Sequence, residues 1–349
     1  MYKRQTDITA LTTTQVKGLT STQLAALTTT QLASVTTTQL AVLSTTQVKG
    51  LTTTEVAALT TTQLGALTSA HIGVLIQVQL NALTTTQVAA LTTTQIGGLT
   101  SAQLGVLTTT QIGAVTTTDL AALKTTQVTG LSITQLGSLT TTQLAVMTTT
   151  QLAALTATQV KGFTTTQLAA LTTTQLGGFS STQIGALTTT QLGGFTTTEV
   201  AALTTTQIAG LTSTQLGALT TTQVGALETT DLAALTATQV KGFTTSGLAA
   251  LSTTQFGALT STQFSALTST QLGGLTTTEL TALTTTQLGG ITGTQIGSFN
   301  STQFAALSTT AVAAFSTTQL LGLTATEIGA FTTTQINAMT TQQVNALFA

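Results

Sequence analysis

The sequence predicts an all-α solenoid of very short helices, and three observations predict it. An eight-residue unit repeats without a slip of register from Thr12 almost to Ala349, nearly every unit opens with Thr-x-x-Gln or a close substitute, and its apolar residues fall three and five apart. A typical unit is Thr12-Thr13-Thr14-Gln15-Val16-Lys17-Gly18-Leu19: three Thr, a Gln, an aliphatic residue, two further residues and a closing Leu or Phe. For 349 residues the ordinary expectation is two or three domains. Uniform self-similarity at so short a period overrides it and predicts a single continuous repeat solenoid over residues 1–349.

The helix has to restart in every octad. Along an uninterrupted α-helix an eight-residue step rotates equivalent side chains by about 80°, so no lasting apolar stripe forms. Thr12-x-x-Gln15 supplies the restart as a capping box: the Thr hydroxyl accepts from the backbone N–H three residues on, and the Gln side chain reaches back. Leu19 before the cap at Thr20, with Leu24 at the fourth helical position, has the spacing of a hydrophobic staple. Replacements obey the same chemistry. Ser44, Ser252, Ser308 and Asn300 stand for the capping Thr, while Asp7, Glu55, Asp119, Glu199, Asp231, Glu279 and Glu327 stand for the Gln. A helix this short is unstable alone, so stacking must hold it.

Octads alternate in composition. Numbered by remainder on division by 16, the small residue before the closing position is Gly at 18, 50, 98, 130, 162 and further members of one class, and never Gly in the other. Seven of the eight acidic residues share remainder 7, and Lys17, Lys49, Lys161 and Lys241 share remainder 1. The expected unit is therefore a pair of helices, 8 residues per helix and 16 per pair, stacked in two layers. At the spacing of packed helices such a stack would be a thin rod on the order of 200 Å long. Gly is expected either to supply a positive φ at one of the two turns or to admit a close neighbour. The sixth position, with Lys17, Asn81, Thr129 and Ser265, is expected to face water, and Thr and Gln to cover the surface in rows. The alternative architecture is a β-solenoid, for which the Thr-rich stretch has propensity; the apolar spacing argues against it.

Composition excludes several functional classes. Charged residues make up 4% of the chain, and seven scattered basic residues build no surface for nucleic acid. Mean hydropathy is +0.42, yet Thr-Thr-Thr-Gln interrupts every apolar run, so no membrane insertion is expected. Met1-Tyr2-Lys3-Arg4 is basic but leads into Gln5-Thr6-Asp7, so no signal peptide is read there. With no Cys there is neither a disulfide nor a thiolate metal site.

Candidate reactive residues are few, and none is assigned a catalytic, cofactor-binding or metal-binding role. His71, the single histidine, occupies a Gln slot and is expected to cap its helix through a ring nitrogen. Glu228 and Asp231 form the one close carboxylate pair, expected to be solvated at a helix start. Isolated Gly-Gly steps lack phosphate-loop spacing, and Asn300-Ser301-Thr302 fits a helix cap as well as a glycosylation acceptor. Ile76 replaces a capping Thr, which should cost about 1 kcal/mol. Phe, found only from Phe163 onward, reads as bulkier packing.

Through Leu-Thr-Thr-Thr-Gln-Leu-Ala-Ala, the octads resemble the Thr/Gln-rich tandem arrays of large bacterial secreted or surface proteins, often labelled adhesin-like. The resemblance covers essentially the whole chain and implies an extracellular or cell-surface location; it carries over no functional residue. The expected function is structural and non-enzymatic, a spacer, stalk or filament-forming segment without cofactors. Self-association, end to end or lateral, is expected because Asn345-Ala346-Leu347-Phe348-Ala349 lacks a polar capping repeat. The alternative is a binding module presenting Thr rows to a repetitive ligand such as ice or polysaccharide.

Overall fold

The computed structural model describes the backbone of residues 5–349 and side chains from residue 7. The basic start Met1–Arg4, where no signal peptide is expected, lies outside the described residues. Forty-two α-helices of four to seven residues and one 3-10 helix, Gln159–Gly162, account for the regular structure, with no strand among the described residues. The β-solenoid is thereby set aside. The chain forms two compact units, one running to Gly178 and the other from Phe179 to Ala349, and the same rules of construction hold within each.

Each helix begins and ends for identifiable reasons. At Leu59 and Thr60 the backbone is extended, with φ −60°, ψ 132° and φ −68°, ψ 158°, which breaks the preceding helix. Thr60 then starts the next: its hydroxyl accepts the N–H of Gln63 at 3.1 Å, and Gln63 Oε1 accepts the N–H of Thr60 at 3.0 Å. Ser44, Ser252, Ser308 and Asn300 all cap as the sequence predicts. Ile76 makes no side-chain cap, yet Gln77–Ala82 still forms, because Gln79 Oε1 accepts the N–H of Ile76 at 2.9 Å.

Neighbouring helices in space are not the sixteen-residue pair. Helices that pack together lie three octads apart along the chain, as Thr29–Ala33 does on Thr53–Ala58 and Ser261–Ala266 on Thr285–Gly290. A second set of links joins octads four apart, described below. The solenoid of eight-residue helices is as predicted, but a layer recurs after three to four octads; the period of sixteen belongs to composition.

The core consists of the two predicted apolar positions. Leu64 and Leu67, Leu136 and Leu139, Leu232 and Leu235 are each almost fully buried, as is the Phe set from Phe163 to Phe331. At about 1.5–3 kcal/mol per buried side chain, this repeated pair is the main source of cohesion for helices that are unstable alone. Phe256 and Phe264 meet edge to face with ring centroids 5.4 Å apart, and Phe304 meets Phe331 at 5.0 Å, so the larger residues add directional contacts. Lys17, Asn81, Thr129 and Ser265 are exposed, as expected for the sixth position.

Candidate functional site

The Gln of the octad does more than cap. From Gln39 onward most Gln are buried, which corrects the expectation that Gln covers the surface. Gln135 shows why. Its Oε1 accepts the N–H of Ser132 at 2.7 Å, while its Nε2 donates to the carbonyls of Leu104 at 2.8 Å and Leu107 at 2.7 Å, 31 and 28 residues earlier. One neutral amide thus closes the N-terminus of its own helix and the C-terminal carbonyls of a helix four octads back, two sets of groups that a helix leaves unpaired. This clasp recurs in the first unit at Gln39, Gln95 and Gln143 and in the second at Gln223, Gln263 and Gln335. Gln15 and Gln23 reach only their own caps and are exposed.

His71 meets both demands of the slot with one ring. Nδ1 accepts the N–H of Thr68 at 3.2 Å and Nε2 lies 2.9 Å from the carbonyl of Leu43, 28 residues earlier, an arrangement that fits the neutral Nε2–H tautomer. The cap role predicted for it holds, and the long-range bond is additional.

Carboxylates in the slot cannot donate as Nε2 does, and Asp and Glu resolve this differently. The shorter Asp119 turns one oxygen to the hydroxyl of Thr93, which donates at 2.7 Å, and Asp231 likewise accepts from Thr205 at 2.9 Å. Asp231 is buried whereas Glu228 is exposed, so the pair is not the solvated one expected; Asp231 is tied inward by Thr205 and by the N–H of Glu228 at 3.3 Å. Glu55, Glu199 and Glu279 place Oε2 on the cap, but Oε1 of each is buried with no hydrogen-bond partner. Burial pushes the carboxyl of Glu279 above the ordinary carboxylate range, against the opposing pull of the Thr276 N–H and hydroxyl. Gly247 and Ala311 occupy the slot with no polar group at all.

Glycine serves close approach and not a special turn. Among the described residues no Gly has a positive φ, and Gly274 of one turn class, at φ −90°, ψ −1°, has the backbone of Ala218 of the other, at φ −90°, ψ −7°. The two kinds of turn therefore share one geometry, and of the two roles expected for Gly the close neighbour is the one observed. What differs is the neighbour. A Cβ on Gly130 would lie 2.2 Å from the carbonyl oxygen of Ser101, and one on Gly242 would lie 2.1 Å from that of Ser213. The register is visible in the sequence once known. Ser21, Ser69, Ser101, Ser181, Ser213 and Ser261 stand 29 residues before Gly50, Gly98, Gly130, Gly210, Gly242 and Gly290, whereas Thr37, Thr53 and Thr197 stand 29 before Ala66, Ala82 and Ala226. Ser faces Gly in the first set and Thr faces Ala in the second. But Gly162 also closes on the Ile133 carbonyl, and Gly178 and Gly274 meet Thr149 and Thr245, so the close approach follows the Gly more than the size of the residue opposite.

The arrangement can hold neighbouring chain segments together, and few groups remain for other chemistry. Among the described residues no three His, Cys, Asp or Glu lie together, and no helix is long and apolar enough to cross a membrane. Cap hydroxyls are used on both sides; Thr20 accepts from Gln23 N–H at 3.2 Å and donates to Gln23 Oε1 at 3.2 Å. Asn300 holds the N–H of Gln303 at 2.9 Å, consistent with a cap. Apolar exposure is confined to a few residues, among them Ile76, Val78, Ile133, Leu321 and Phe348. Leu321 and Phe348 border an open hollow of about 510 Å³ with Leu323, Ile328 and Leu347.

Comparison with curated proteins gives no match. The ALTTAQ repeat, in contrast, matches residues 5–37, 56–93, 80–117, 163–197, 196–229, 224–261, 247–277 and 312–348, which together span well over half of the chain. With its octads, capping boxes and clasps following one plan throughout, the chain belongs to the ALTTAQ repeat family.

Proposed function

We infer that this repeat protein works as a spacer, stalk or filament-forming segment, outside the cell or on its surface, as adhesin-like arrays do. Its repeating helical solenoid supports a structural role, and the clasp carries the inference: a buried, neutral amide ties octads four apart, at positions such as Gln135 and Gln263, so that the hydrogen-bonding capacity of the slot is spent on the frame. The role requires no catalytic step and no cofactor. An exterior of Thr with few charges goes with a surface location and with partners other than nucleic acid.

Self-association is the finer part of the reading. Leu321 is 61% exposed and Phe348 65% exposed beside the same hollow, a patch that a second copy of the chain would cover. Sedimentation and electron microscopy across a concentration series test it. Wild type is expected to assemble, and the double variant Leu321→Asp, Phe348→Asp to stay monomeric with an unchanged helical circular dichroism spectrum. Wild type that remains monomeric at every concentration would remove self-assembly from the proposal.

A further inference from the structure

One ladder of clasp positions in the second unit is broken three times in succession. Gln215 donates to the carbonyls of Gly185 at 3.0 Å and Leu187 at 2.6 Å, and Gln343 donates to those of Ala313 at 3.0 Å and Phe315 at 2.6 Å. The positions between them, at the same four-octad step, are Gly247, Glu279 and Ala311. None carries an Nε2, so Leu219, Leu251 and Leu283 lack the amide donor that Leu187 and Phe315 receive. Leu219 and Leu283 are each 8% exposed, against 4% for Leu187 and 3% for Phe315. Leu251 is 5% exposed, and the seam lacks the amide donor at three successive steps.

Glu279, at its centre, differs from its two neighbours in having an atom in the place of Nε2. Its Oε2 accepts the Thr276 N–H at 2.6 Å and the Thr276 hydroxyl at 2.8 Å, as the Gln Oε1 does at other clasps. Oε1 is left, buried and unpartnered, in the place from which a Gln of this ladder would donate to Ala249 and Leu251. At Gln215 the corresponding atom lies 2.6–3.0 Å from its carbonyl oxygens. Between two oxygens that spacing suits a shared proton and leaves no room for a metal ion.

We propose that Glu279 is a proton-operated latch on this seam. With the carboxyl neutral, Oε1–H donates to the Leu251 carbonyl and restores the clasp. With the proton released to solvent, a carboxylate oxygen faces carbonyl oxygens and the seam opens first. The helices packed on Thr277–Thr281, Thr253–Gly257 and Ser301–Ala306, carry no titratable or charged residue, and neither do the ladder neighbours Thr245–Leu248 and Thr309–Ala313. No ion pair therefore competes for the proton. Burial raises the folded carboxyl above its ordinary 4.5, so the latch contributes fully below that pH and is lost as pH rises through the folded value.

Hydrogen exchange of the full chain, measured by mass spectrometry and corrected for intrinsic rate, tests the latch on peptides covering 245–251, 277–283 and 309–315. Wild type is expected to lose protection there by about fivefold or more between acid and about pH 7.5, the factor carried by one lost hydrogen bond. Peptides around Gln135 and Gln143, where the ladder is intact, control for global effects of pH. Glu279→Gln installs the ordinary slot residue, so it is expected to fold and to hold the seam equally well at both pH values. The latch is overturned if the seam of the wild type loses no more protection with pH than the Gln135 and Gln143 peptides do, or if Glu279→Gln keeps the same loss.

Discussion

The Nε2 of Gln215 lies 2.6 Å from the carbonyl oxygen of Leu187, a residue 28 positions earlier whose side chain is buried in the core. Backbone closure and core packing therefore meet at one residue. Leu187→Asp should be severe, because it places an unpaired carboxylate in the core beside a backbone group already fixed by Gln215. A loss above about 4 kcal/mol is expected, with helical signal reduced in circular dichroism. Lys241→Ala, on an exposed side chain, should stay within about 0.5 kcal/mol. Equal tolerance at the two positions would contradict the assignment of the core.

Removing the clasp should cost more where it spans layers. Gln135→Leu keeps the volume but leaves the Leu107 carbonyl without its amide donor, at about 1–3 kcal/mol, while the Leu104 carbonyl keeps the N–H of Leu107 at 3.2 Å. Gln23→Leu loses only its local cap and should cost about 1 kcal/mol or less. Chemical denaturation of both variants measures the difference; similar losses would show that the long-range bonds carry no net stability.

Restoring a missing clasp should stabilise. Gly247→Gln gains about 1 kcal/mol from helix propensity alone. It also supplies a donor, and a Cβ there meets nothing closer than the Thr244 hydroxyl at 3.2 Å. Ala311→Gln gains the hydrogen bonds without the propensity. Raised urea midpoints in both variants are the expected result, and a lowered midpoint for Ala311→Gln would show that the slot there cannot accept the side chain.

Two glycines should respond oppositely to Ala. Gly130→Ala drives a methyl into the Ser101 carbonyl and should cost about 1–3 kcal/mol. Gly65→Ala meets nothing within 4 Å and should stabilise by about 1 kcal/mol. Thermal midpoints moving in the same direction would disprove the close-approach account.

Local rules were legible in the sequence because their partners are near in the chain. Thr60 and Gln63 are three residues apart, so the capping box, the helix restart and the apolar pair could all be read directly. The clasp from Gln135 to Leu104 and Leu107 could not, because in a strict octad repeat every shift by eight residues superimposes like on like and favours no partner. Only irregularities carry register. Ser101 with Gly130 and Thr53 with Ala82 hold that information at a spacing of 29 residues, which a search for a period of eight or sixteen passes over. The same blindness made Gln look like a surface residue: its local role as a cap was complete without a distant partner. It also made Asp231 look solvated, since Thr205, which donates to it, lies 26 residues away.

Packing at three octads and clasping at four have a material consequence. In a strung array each repeat depends on the peptide bonds to its immediate neighbours; here the helix Ile133–Ser138 is attached to chain passing well before it and well after it. A single cut in the turn at Leu139 and Thr140 would leave the segments on either side fastened to layers that the cut does not touch. Within each unit the chain is woven more than it is threaded, and it should resist unravelling from a nick.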